Sequence, residues 1–199
     1  MGGSAHTPAQ PRRRRTAAER RAELIEAAVV EFARSGLHGT PVARIAKRAG
    51  VTQPYTFSLF PSKLALFLAT VEHGFDRVEE LFRAAARDFA EGRVPEAPDV
   101  LSALGVAYMR ALHERRVDLM LQLQSYAACD EEPVRTVVRR RYAQLIALVQ
   151  ELSGAPEEEI DEFFRRGMAL NVAAAMGVDD VAAACEWVQA ELRASRNGA

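Results

Sequence analysis

Cysteine is scarce in this chain. Of its 199 residues only Cys129 and Cys185 carry a thiol. They form no CxxC pair and have no clustered histidines, which argues against a disulfide framework or a zinc site. Both are expected to serve as small buried apolar residues. Long apolar runs are missing as well: none approaches the roughly 20 residues that a membrane-spanning helix needs. The N-terminal stretch has no signal-peptide core, so a cytoplasmic protein without a membrane partner is expected. No period-2 alternation of strand length occurs, and the expected fold class is all-α. The patterns HExxH, GxSxG and the ExxH of di-iron bundles are absent too. No enzyme, cofactor or metal is therefore expected. The acidic run Glu157 to Glu159, with Asp161 and Glu162, stands at a helix start, where carboxylates complement the dipole.

A net charge of −1 hides a strong asymmetry. Residues 1–63 hold 11 Lys and Arg against 4 Asp and Glu; the remainder holds 15 against 23. The chain is a basic head on an acidic body, as when one end neutralises phosphates and the other stays clear of them. Residues 1–11 are mostly Gly, Ser, Ala, Pro and Gln without periodicity, expected to be a disordered tail. Arg12, Arg13, Arg14 and Arg15 follow as a block of like charge, expected to be an arm along a phosphate backbone or minor groove, with a solvated tail as the alternative. The segment TAAERRAELIEAAVVEFARS, residues 16–35, carries Leu24, Ile25, Ala28, Val29, Phe32 and Ala33 at helical spacing. Thr16 and Glu19 fit a capping box, and Gly36 ends the helix.

Residues 40–63, TPVARIAKRAGVTQPYTFSLFPSK, read as two short helices around a tight turn. Thr40 is a candidate N-cap with Pro41 at the first helical position. Ile45, Ala46 and Ala49 form one apolar face, and Arg44, Lys47 and Arg48 lie opposite. Gly50 supplies a positive φ. Thr52 caps the second helix, and Pro54 is tolerated in its first turn. This is the shape of a helix-turn-helix that lays its second helix in the major groove of DNA. Gln53 can bond an adenine edge, Tyr55 and Ser58 offer hydroxyls to phosphates or bases, and Leu59 is expected at a thymine methyl. Phe60 anchors the helix inward, Pro61 stops it, and Ser62 caps a third helix that brings Lys63 to a phosphate. The alternative is a helical protein-interaction bundle whose basic residues are merely solvated.

The order of apolar helix, Gly36, Thr40, ARIAKRAGVTQPYTFSLFPSK and long helix resembles the tetracycline-repressor family of bacterial transcription regulators. The likeness covers roughly residues 17–67, through Gly36, Thr40, Val42, Ile45, Ala46, Ala49, Gly50, Val51, Thr52, Phe60, Ser62, Lys63 and Leu66. It implies DNA roles for Thr40, Gln53, Pro54, Tyr55 and Lys63. Three positions depart from the family pattern. Thr56 replaces an apolar residue, so a buried hydroxyl must bond a carbonyl one turn back. Phe57 and Leu59 replace residues that usually hydrogen-bond phosphate and are left as groove or packing contacts. Phosphate affinity is expected to lean on Arg12 to Arg15 and Arg44.

A long helix follows, with Leu66, Phe67, Val71, Phe75, Val78, Leu81, Phe82, Ala85 and Phe89 on one stripe, closed by Gly92 and Pro95. The resemblance makes it the connector between body and head. His73 on it is expected to be a surface or packing residue. Gly and Pro then punctuate helices near 98–115, 117–129, 132–153, 156–176 and 179–195. The chain thus divides into a basic arm at 1–15, a three-helix head at 16–63 and a helical body at 64–199, about nine helices in all. The resemblance implies a homodimer through the last two helices, which carry Phe163, Phe164, Met168 and then Val181, Ala184, Cys185, Val188 and Leu192. It also implies a repressor released from a palindromic double-stranded operator by a small-molecule effector. Tyr108, Met109, Met120, Gln122, Gln124, Tyr126 and Met168 offer a pocket-like mixture, but ordinary core packing explains such stripes more often and is the favoured reading.

Overall fold

The computed structural model describes residues 16–177, all-α, with eight helices and no strand among the described residues. The basic arm and the expected helix at 179–195, with Cys185, lie outside them. Helix α1 (Ala17–Gly39) starts on the expected capping box: Thr16 Oγ1 accepts from the Glu19 amide at 3.1 Å, and Glu19 returns a bond to the Thr16 amide. Gly36 breaks its helical geometry at φ 64°, ψ −175°, a conformation reserved almost wholly for glycine. Helices α2 (Val42–Arg48) and α3 (Gln53–Leu59) follow, then the 28-residue α4 (Lys63–Ala90). The body continues with α5 (Val100–Glu114), α6 (Arg116–Ala127), α7 (Glu132–Ser153) and α8 (Glu157–Ala175).

One apolar core runs from the head into the body. Phe32 and Phe67 meet edge to face with ring centroids 4.9 Å apart, and Leu24, Ile45, Phe60 and Leu66 close around them. Leu121 of α6 and Val134 and Val138 of α7 complete the same cluster, and α6 packs extensively along α1. The head is therefore built against the body rather than hung from it by α4 alone. A second cluster, Phe82, Leu104, Leu145, Leu148, Val149 and Ile160, holds the far end of the body. Between α1, α4 and α6 runs a chain of hydrogen bonds and ion pairs. His73 Nε2 lies 2.8 Å from Glu26 Oε1, Arg77 joins Glu26 at 3.0 Å to Asp118 at 2.8 Å, and Arg115 takes the other Asp118 oxygen. His73 is thus a partly exposed surface residue that bridges α4 to α1. No described helix is long and apolar enough to cross a membrane.

Candidate nucleic-acid interface

The helix-turn-helix is assembled by local hydrogen bonds that its sequence dictates. Helix α2 closes on Gly50 at φ 66°, with the Val51 amide bonding Ala46 O at 2.9 Å and the Gly50 amide bonding Lys47 O at 3.2 Å. This reciprocal pair satisfies the last carbonyls of α2 and reverses the chain. Thr52 Oγ1 then accepts from the Tyr55 amide at 3.3 Å to start α3, and Ser62 Oγ accepts from the Ala65 amide at 3.0 Å to start α4. Thr56 is buried and its hydroxyl donates to Thr52 O at 3.2 Å, the back-bond its burial requires. Phe60 is buried, and the Arg21 guanidinium sits 3.9 Å from its ring centroid while donating to Leu59 O at 2.8 Å. Arg21 thereby ties α1 to the end of α3.

Several residues named from sequence come together on one surface. Gln53, Pro54, Tyr55, Phe57 and Ser58 are exposed on α3, and Thr52 is exposed at its start. Tyr55 and Phe57 are 39% and 41% exposed, although large and aromatic. Ser58 donates to Tyr55 O at 2.7 Å, which leaves its oxygen as an acceptor. Lys47 stands exposed in the last turn of α2. Lys63 donates to His38 O at 3.1 Å, which holds its ammonium at the end of α1 with two donors to spare.

Three expectations need correction. Thr40 does not cap α2; its hydroxyl is buried and donates to Gly36 O at 2.7 Å and lies 3.2 Å from Glu31 O. The open carbonyls at the end of α1 claim it, Pro41 becomes the α2 cap residue, and the Thr40 side chain has no surface to offer a duplex. Leu59 is half-buried against the head core, not presented to a groove, because it lies on the same side of α3 as Thr56 and Phe60. Arg44 is not a free phosphate ligand. Its guanidinium lies 2.6 Å from Glu31 Oε2, while Arg48 Nε lies 2.7 Å from Glu31 Oε1. Burial alone would push the Glu31 carboxyl up, but the bonds and charges of Arg48 and Arg44 outweigh it and hold the group below the ordinary carboxylate range. Glu31 was missed from sequence. Its signal was legible: a carboxylate four and three residues after Ala27 and Ala28, on the stripe α1 buries, facing a basic i, i+4 pair on α2.

In the body, Tyr108, Met109, Gln122 and Met168 line a cavity of about 530 Å³ with Phe82, Phe163 and Phe164. A smaller space of about 60 Å³ adjoins it through Tyr108 and Gln122 and reaches Arg77, Arg115 and Asp118. The Tyr108 hydroxyl lies 2.7 Å from Asn171 Oδ1 and 3.1 Å from Gln122 Oε1, and Gln122 Nε2 donates to the Tyr126 hydroxyl at 2.8 Å. Burial pushes Tyr108 up to about 12 and raises Tyr126 further, so this chain is neutral throughout. Met120 instead packs on the head core, and Gln124 lies against Gly36. Burial also raises the Cys129 thiol, whose Sγ rests 3.4 Å from Ser125 O. Among the described residues no cluster of His, Cys, Asp and Glu is placed to hold a metal.

Residues 24–70, the stretch with this geometry, match the sequence model of the bacterial regulatory proteins, tetR family. The head is a tetR-family helix-turn-helix. Around this tetR-family head the chain is 37% identical over 75 residues to the HTH-type transcriptional activator FasR of Mycolicibacterium smegmatis, a match that spans 38% of this chain and 34% of that protein. The likeness thus spans about a third of the relative's length. The fold as a whole is that of solved tetR-family chains. A member from Streptomyces coelicolor superposes with a TM-score of 0.62 at 21% identity, over 86% of this chain and 96% of its own. The regulator FadR of Bacillus subtilis, solved with stearoyl-CoA, superposes with a TM-score of 0.59 at 14% identity, over 78% and 88% of the two chains.

Proposed function

We propose that the chain is a DNA-binding transcriptional regulator that acts as a two-fold dimer and is released from a palindromic operator by a small molecule. The outward face of α3 carries this reading. Gln53, Tyr55, Phe57 and Ser58 stand clear of the core and uncharged, with Lys47 exposed on the preceding helix α2 and Lys63 at the start of the following helix α4. That division suits base edges at the centre and phosphates at the margin. Arg12 to Arg15 extend the phosphate contacts as an arm, and Thr52 and Pro54 shape the start of the reading helix. The role in transcription agrees with the name of FasR. The division into arm, head and body at residues 1–15, 16–63 and 64–199 is part of the same proposal.

Two copies are needed to set two reading helices about 34 Å apart on a palindrome. Val172 and Met176 leave apolar surface on α8, 49% and 54% exposed, which suits a dimer seam through the last two helices. The effector would enter the cavity around Tyr108 and Gln122; the FadR chain of similar fold was solved in complex with stearoyl-CoA. Arg77 both borders the adjoining space and bonds Glu26 of α1, so a displacement of α6 reaches the head directly.

Gel-shift titration of the full chain at low salt, against fragments from upstream of its own and neighbouring genes, tests the reading. Saturable retardation of one fragment by two chains per site is expected. Failure with every genomic fragment would leave the helical interaction bundle as the better account.

A further inference from the structure

Helix α3 spends its exposed surface on aromatic rings. Five large apolar side chains stand exposed among the described residues, and two of them, Tyr55 and Phe57, lie on this seven-residue helix. Tyr55 has a hydroxyl with which to reach phosphate or base. Phe57 has neither donor nor acceptor, so nothing but apolar contact can reward its position. A lone exposed ring needs no explanation elsewhere on a surface, but here it lies in the middle of the face that Gln53, Pro54 and Ser58 define. Leu59, the side chain expected at a thymine methyl, is turned into the core.

We propose that Phe57 is a specificity-determining residue that reads the C5-methyl group of a thymine in each operator half-site. In the major groove the thymine methyl is the one apolar mark on a base-pair edge, distinct from every hydrogen-bonding group there. Gln53 and Phe57 are four residues apart on the same flank of α3, so their side chains reach the groove side by side, about 6 Å apart along the helix. With bases stacked about 3.4 Å apart, the thymine lies within about two base pairs of the base that Gln53 bonds. The operator half-site is thereby assigned a thymine that no hydrogen bond from this protein selects. The inference rests on the regulator reading.

The test replaces thymine by deoxyuridine, one position at a time, in a duplex selected from random sequence by the full chain. This change removes the methyl group and leaves every base-pairing group in place. For the wild type, one symmetry-related thymine per half-site should weaken binding by about fourfold when its methyl is removed, the effect of one buried CH₂-sized group. For Phe57→Ala the same replacement should have no effect, and Phe57→Leu should restore part of the dependence. The position is exposed, so both variants should keep the wild-type helical circular dichroism. Binding that is indifferent to every thymine methyl, or a dependence unchanged in Phe57→Ala, overturns the assignment alone. Absence of binding to any selected duplex overturns the regulator reading and this inference with it.

Discussion

Head and body solve the problem of buried polar groups in opposite ways. In the head, a buried carboxylate, Glu31, is locked by two guanidinium groups from the neighbouring helix, and Thr40 and Thr56 spend their hydroxyls on main-chain carbonyls. The Glu31 bonds tie α2 to α1, the Thr40 bond ties the turn to the end of α1 and the Thr56 bond stays within α3, around a core in which Phe32, Phe60 and Phe67 are completely enclosed. In the body, the partly buried polar chain Tyr126, Gln122, Tyr108 and Asn171 is neutral, passes between α5, α6 and α8, and borders open space. Charged clamps fix one arrangement, because either partner left alone pays the desolvation of an ion. Neutral amides and hydroxyls can exchange partners at a cost of about 1 kcal/mol each. The helix-turn-helix is thus held by a charged clamp, and the cavity wall by neutral hydrogen bonds.

Removing the core aromatic should have the largest effect. Phe32→Ala is expected to destabilise the fold by about 3–5 kcal/mol in denaturant titration, since the enclosed ring leaves a cavity and deprives Phe67 of its partner. Because the head core continues into α6 and α7, the loss should appear in one transition. Two separate transitions would mean that head and body are less joined than the shared cluster implies.

The clamp comes next. Arg44→Ala with Arg48→Ala strands the Glu31 carboxylate and should cost about 3 kcal/mol near pH 7. In the wild type, the depressed Glu31 carboxyl contributes stability that is full above its unfolded pKa of about 4.3. That contribution is lost as pH falls through the lower folded value, so the gap between wild type and double variant should narrow in melts taken from pH 6 down to pH 3. A gap that stays constant would show that Glu31 is not the group responsible.

Gly36→Ala probes the seam between the two regions. A Cβ there would stand 2.5 Å from Gln124 Oε1, at a φ of +64° that other residues rarely adopt. A loss of about 2 kcal/mol is expected from the backbone conformation and the contact together. Adding Gln124→Ala should recover the contact part and leave the backbone part. Full recovery would mean the backbone there relaxes freely. The smallest effect belongs to the body: Tyr108→Phe should cost about 1 kcal/mol, because one hydroxyl is lost from a chain whose amides can turn to each other. A loss as large as that from the Glu31 clamp would erase the contrast between the regions.

The parts of this structure that sequence made legible are those governed by neighbours three or four residues away. The Thr16, Thr52 and Ser62 caps, the Gly50 reversal and the apolar stripes of α1 and α4 all follow from local spacing. The four body helices α5 to α8 fall within about two residues of the expected ranges for the same reason. Tertiary competition decided the rest. Thr40 had two helix ends within reach, and only the packed turn assigns its hydroxyl to α1 rather than α2. Arg44 is expected at a phosphate, and only the fold places it on Glu31. Tyr108, Gln122 and Met168 carry the same pattern whether they line a cavity or fill a core, and only the spacing of α5, α6 and α8 distinguishes the two.

The central claim is that α3 reads base edges. Its most direct test compares wild type with Gln53→Ala by gel-shift titration on the selected operator and on a random duplex of equal length and salt. The variant is predicted to lose about 1–3 kcal/mol on the operator and almost nothing on random DNA, because it gives up base contacts and no phosphate contacts. Equal losses on both duplexes, or none on either, would contradict the account.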